Sequence, residues 1–198
     1  MKNRILMGLA AVAMVAVLSS CGKTPQAEID AANAAIEAAK TAEAAVYLPA
    51  EFAAVQDSLN AVMTEIAAQE SKLFKKFGPA KAKLASVVTL ANQVAANTAT
   101  KKDEVKGEVA NLMTSIKTVI EENGKLIPKL PRGKEGAAVI EQIKADVATV
   151  DAAVVEAQGL FDKGAYMDAF NKVTAAKETA DKINGELKEV MKKAGIKI

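Results

Sequence analysis

Apolar side chains recur in steps of three and four along nearly the whole chain after residue 25, and proline or glycine interrupts the pattern at only a few points. A step alternating between three and four places side chains on one face of an α-helix, whereas a strand needs a step of two. Ile29, Ala32, Ile36, Ala39 and Val46 form the first such stripe, broken only where Glu43 falls on it. Thr24 is placed to cap this helix and Pro25 to open it.

Pro49 marks a new start, and Phe52, Val55, Leu59, Val62, Ile66 and Leu73 predict a second helix to about Lys76, interrupted at Gln69. Phe77, Gly78 and Pro79 form a stop followed by a start. From Pro79 to Glu122 no proline intervenes, and Leu84, Val87, Ala91, Val94, Thr98, Val105, Val109, Leu112, Ile116 and Val119 keep to one face. One long helix is expected here, about 66 Å at 1.5 Å per residue if it is straight. The polar stretch Asn97 to Glu104, with Gly107, could instead break it in two, and the weak stripe from Thr98 to Lys102 is where a groove or hinge would fall.

Asn123 and Gly124 read as a helix stop, and a loop with Pro128, Pro131, Gly133 and Gly136 follows. Leu126, Ile127 and Leu130 alternate there with Lys125, Lys129 and Arg132, so the apolar members are expected to cap the bundle while the cations stay solvated. Those three cations are the candidate interaction loop.

Ile140, Ile143, Val147, Val150, Val154, Ala157 and Phe161 predict a fourth helix ending near Lys163. Gly164 then separates it from a fifth, with Tyr166, Ala169, Val173, Ala176, Ala180, Ile183, Leu187 and Val190 on its buried face. The expected fold is all-α: an elongated antiparallel bundle of about five long amphipathic helices. It divides into a hairpin over 26–77, a long helix over 79–122, a loop over 123–134 and a hairpin over 135–195. Alanine, roughly a fifth of the chain, favours helix and lets helices approach closely.

The segment Leu160, Phe161, Asp162, Lys163, Gly164, Ala165, Tyr166 and Ala169 resembles the junction of a tetratricopeptide hairpin, and Tyr47 and Ala50 repeat the Tyr166 and Ala169 spacing. The stretch Ala45 to Phe52 is similar to a junction in an alanine-rich domain of unknown function found in bacterial envelope lipoproteins. The strict period of a repeat array is missing, so these corners belong to a bundle and not to a solenoid.

The start of the chain has a different character. Lys2 and Arg4 precede an uncharged run from Ile5 to Leu18, the charged and apolar regions of an export signal. The run is shorter than the roughly 20 residues a membrane-spanning helix needs. Leu18, Ser19, Ser20 and Cys21 resemble the lipobox of bacterial lipoproteins. The resemblance implies cleavage between Ser20 and Cys21, diacylation of the Cys21 thiol and usually acylation of the new amino terminus, with palmitate-type chains, and a tether over residues 21–25. Gly22 and Lys23 follow without an inner-membrane retention aspartate, which favours the outer membrane, facing the periplasm.

Cys21 is the only cysteine, so no internal disulfide forms. Residues 21–198 hold 24 of the 26 basic side chains and all 24 acidic ones, so the excess of cations lies in the signal. A neutral body offers no electrostatic case for nucleic acid or anionic lipid as the main partner. Histidine is absent, removing the commonest general base and transition-metal ligand.

No phosphate loop, paired-cysteine metal motif or nucleophile elbow is present. Adjacent carboxylates such as Asp103 and Glu104, or Glu121 and Glu122, point to different helix sides. Tyr47 and Tyr166 are the residues best suited to touch a ligand, although their place at helical turns points to packing. No catalytic residue, metal or cofactor is therefore expected. The expected role is a lipid-anchored, non-enzymatic helical scaffold, spacer or interaction module whose partner is another envelope protein or a second copy. The alternative is a carrier holding a hydrophobic or peptide ligand between helices.

Overall fold

The computed structural model describes residues 23–131 and 134–197, with the side chains of 134–136 excepted. Every regular element among them is helical: α1 (Gln26–Thr41), α2 (Ala44–Tyr47), α3 (Pro49–Glu70), α4 (Gly78–Leu126), a 3-10 turn (Ile127–Lys129), α5 (Lys134–Asp162) and α6 (Tyr166–Lys193). Contacts cluster into two compact units. The first takes residues up to Thr41 and Ala50–Val94; the second takes Ala42–Pro49 and Ala95–Ile198.

In the first unit α1 buries Ile29, Ala32, Ala35, Ile36 and Ala39, and α3 buries Phe52, Val55, Val62 and Ile66. The opening part of α4 adds Leu84, Val87 and Ala91. The predicted stripes supply most of this core, and burying a side chain the size of Leu84 stabilises by about 1.5–3 kcal/mol. Thr24 does not cap α1 with its side chain; its hydroxyl donates to Glu70 Oε1 on α3 at 2.6 Å. Lys81 on α4 meets Glu28 on α1 at 2.8 Å.

Two helix ends fall earlier than the spacing predicts. α1 stops at Thr41 because continuing it would bury Glu43. The chain instead turns left-handed at Glu43 (φ 69°, ψ 30°), which returns the carboxylate to the surface. A left-handed non-glycine residue costs about 1–2 kcal/mol. The short α2 then rolls Tyr47 into the second unit's core and leaves Val46, expected on the buried stripe, 50% exposed.

α3 stops at Glu70 instead of near Lys76 because local side-chain bonds compete with the helix. Ser71 Oγ donates to the Ala68 carbonyl at 3.0 Å, and the Lys76 N–H reaches Gln69 Oε1 at 3.5 Å. Leu73, expected in the core, is 91% exposed.

α4 is one unbroken helix, as the uninterrupted spacing predicts, and it continues through Asn123 and Gly124 to Leu126. The expected stop fails because Asn123 lies seven residues beyond Ile116, on the same buried face. Its amide is spent on another helix and not on a C-terminal turn. The loop that follows is correspondingly shorter than 123–134. In the second unit Val105, Val109 and Ile116 of α4 join Ile143, Val150 and Ala157 of α5 and Val173, Ile183 and Leu187 of α6 in one core.

α5 and α6 form the expected hairpin. Gly164 (φ 80°) ends α5 with the Ala165 N–H bonded to the Leu160 carbonyl at 3.0 Å and its own N–H to the Phe161 carbonyl at 2.9 Å. This paired 6→1 and 5→2 closure needs a left-handed residue, which glycine supplies without steric cost.

Candidate functional site

The two tyrosines singled out by sequence come together in the second unit. α2 buries Tyr47, whose phenol lies near the backbone of Tyr166 and Met167 at the start of α6. No side chain of the residue preceding α6 caps that helix. The Tyr47 ring thus packs at a helix start, whose first N–H groups have no intrahelical partners.

Beside it, the Tyr166 ring lies 5.2 Å from that of Phe161 at 57°, a tilted pair across the hairpin corner. Lys102 and Lys106, one turn apart on α4, place their ammonium groups 5.7 Å and 5.6 Å from the Tyr47 and Tyr166 ring centres. That separation is within range for a cation over a ring face. Lys102 is also ion-paired with Glu43, so the left-handed turn before α2 is tied to α4.

The electrostatics of this cluster favour protonated groups. Burial raises the Tyr47 phenol above its ordinary range, with the Lys102 charge opposing. The hydrogen bond to Glu43 raises Lys102, against the effect of burial and with help from the Glu43 charge. A phenol and an ammonium that both hold their protons more firmly are poorly suited to accept one at neutral pH.

A second polar cluster holds α4 to α6. Asn123 is buried, donates from Nδ2 to the Ala180 carbonyl at 3.1 Å and accepts from Asn184 Nδ2 at 2.8 Å. One turn away from that bond, Lys188 pairs with Glu122 at 2.8 Å and lowers its pKa. Sequence reading missed Asn123 by weighing its turn chemistry over its place on the stripe. Glu43 was noticed as an interruption, but its partner Lys102 lies too far along the chain to be legible.

A groove of about 370 Å³ runs between α5 and α6, lined by Glu156, Gly159, Leu160, Lys163 and Lys172. Glu156 and Lys172 pair across it. Among the described residues no group of three or more histidines, cysteines or carboxylates is placed to hold a metal ion, and no helix is long and apolar enough to cross a membrane.

Of the expected interaction loop, Lys125 and Lys129 are exposed while Leu126 and Leu130 are buried, so cap and cations separate as the alternation predicts. Arg132 lies outside the described residues, as do Cys21 and the Ser20 to Cys21 bond. Comparison of the chain with known protein families, curated proteins and solved structures finds no match.

Proposed function

We propose that this chain is a lipid-anchored, non-enzymatic protein of the bacterial envelope, held at the outer membrane through Cys21, whose helical body acts as a scaffold, spacer or protein-interaction module. The observation that carries the reading of the body is how its interior is used. Ala32, Ala39, Ala44, Ala91, Ala157 and Ala169 are all fully buried, so helices meet at close range where a ligand would need space. The anchor rests on the lipobox resemblance of Leu18 to Cys21.

The α5 and α6 corner supports a tetratricopeptide-like plan at that hairpin: Gly164 makes the turn, Phe161 and Tyr166 pack across it, and Ala169 is fully buried. The first junction supports it less, because Ala50 is exposed and Tyr47 serves the second unit. A carrier calls for an enclosed apolar cavity. The groove between α5 and α6 is open, and three of its five lining residues are charged.

Crosslinking of the native protein in its own cells tests the reading. Recovery of one reproducible envelope protein, or of a second copy of the chain, is the expected result. Recovery of only a copurifying lipid or peptide held within the body would overturn it in favour of a carrier.

A further inference from the structure

The segment joining α3 to α4 reads Ser71, Lys72, Leu73, Phe74, Lys75, Lys76, Phe77. Phe77 is buried and fixes one end, and Glu70 at the other end is bonded to Thr24. Between them Leu73 is 91% and Phe74 80% exposed, adjacent in sequence and the two most open large apolar side chains among the described residues, ahead of the isolated Val155 at 71%. Lys72, Lys75 and Lys76 are exposed around them, and among the described residues none of the three forms an ion pair. No acidic residue occurs from 71 to 78.

Two contacts place this tip relative to the start of the body. Thr24 touches Glu70, the last residue of α3, and Glu28 pairs with Lys81 in the first turns of α4. The beginning of α1, the end of α3 and the beginning of α4 therefore share one end of the first unit, and the tip projects from that end. Cys21 lies three residues before Thr24, a span of at most about 11 Å of extended chain.

We propose that the Leu73 and Phe74 tip, with Lys72, Lys75 and Lys76, is a membrane-contact site that enters the headgroup region of an anionic phospholipid surface beside the Cys21 anchor. This rests on the reading of Cys21 as lipidated. The chemistry matches the boundary of a bilayer: two apolar side chains enter the acyl edge, while long lysine stems let their ammonium groups reach lipid phosphates. A single anchor point limits distance from the membrane but does not set orientation. A second contact on the same end of the unit also fixes its orientation.

The chain has no tryptophan, so Phe74→Trp introduces a single fluorophore at an exposed position that can take it without repacking. Cys21, the only thiol, allows the chain from residue 21 to be coupled to maleimide-bearing lipid in phosphatidylglycerol and phosphatidylcholine vesicles, whatever the cell does to it. The expected result is a blue shift of the indole emission and quenching by lipids brominated near the glycerol end of their chains. Both are expected to be lost when Leu73→Ser and Lys72, Lys75 and Lys76→Glu are added. Emission that stays at its value in water would overturn the proposal, as would quenching that survives those four changes. Failure of the anchor reading is seen separately, as a Cys21 peptide from native cells that lacks acyl mass.

Discussion

Asn184 on α6 donates its side-chain amide to Asn123 on α4 at 2.8 Å, and Asn123 in turn donates to the backbone carbonyl of Ala180. A buried amide satisfied at both its oxygen and its nitrogen fixes the register of two helices whose other contacts are mostly apolar and tolerant of sliding. Leaving a buried partner unsatisfied costs about 1–3 kcal/mol. Asn123→Ala is expected to destabilise the second unit by that amount in urea denaturation. Replacing Asn123 and Asn184 together by leucine is expected to cost less than the sum of the single changes, as a double-mutant cycle would reveal.

Tyr47→Phe keeps the ring and removes a buried phenol oxygen that lies beside the start of α6. About 1–2 kcal/mol of stability should be lost. A chain of this size then melts roughly 2–4 °C lower for each kcal/mol, measurable by circular dichroism. Equal stability of the two proteins would mean that the phenol oxygen contributes nothing.

Gly164→Ala isolates a backbone effect, because an added Cβ meets nothing within 4 Å while φ stays at 80°. A loss of about 1–2 kcal/mol is expected, with no change in helix content once folded. The same substitution at Gly107, which is helical and has equally open space, is expected to stabilise by about 0.4–1 kcal/mol.

The pH dependence has two limbs. Glu28 and Glu122 have folded pKa values below their usual 4.5, chiefly through hydrogen bonds from Lys81 and Lys188. Groups with lowered values add stability that is present above about pH 4.5 and lost as pH falls through the folded value. Tyr47 and Lys102 are raised above their usual 10.0 and 10.5, by burial and by Glu43 respectively. Their contribution is present below pH 10 and lost as pH rises through the folded values. Thermal melts across pH 3 to 11 should decline at both ends, and Glu43→Gln should weaken the alkaline limb.

Much of the fold is legible because helical spacing is a local property. The faces carrying Ile29 to Ala39, Phe52 to Ile66 and Ala169 to Leu187 could be read from steps of three and four, and all are core. Helix ends were harder to read where two local signals compete. At Glu43 the cost of burying a carboxylate outweighs continuation of the helix, and at Ser71 a hydroxyl takes a carbonyl from it. At Asn123 the contest runs the other way, since a partner 61 residues along the chain turns a stop signal into a buried bridge. The meeting of Tyr47 with α6 is likewise long-range. Spacing suggested that the tyrosines were equivalents, whereas one supports the helix that the other begins.

The lipid on Cys21 is the claim on which the remainder of the functional reading depends. Its most direct test is to express the full chain and its Cys21→Ser variant in a bacterial host, then follow membrane partitioning and the mass of the amino-terminal peptide. The natural chain is expected to be cut between Ser20 and Cys21, to carry acyl mass on Cys21 and to sediment with membranes, while the variant shows neither that cut nor acyl mass. A Cys21→Ser chain cut at the same bond and still held by membranes would contradict it.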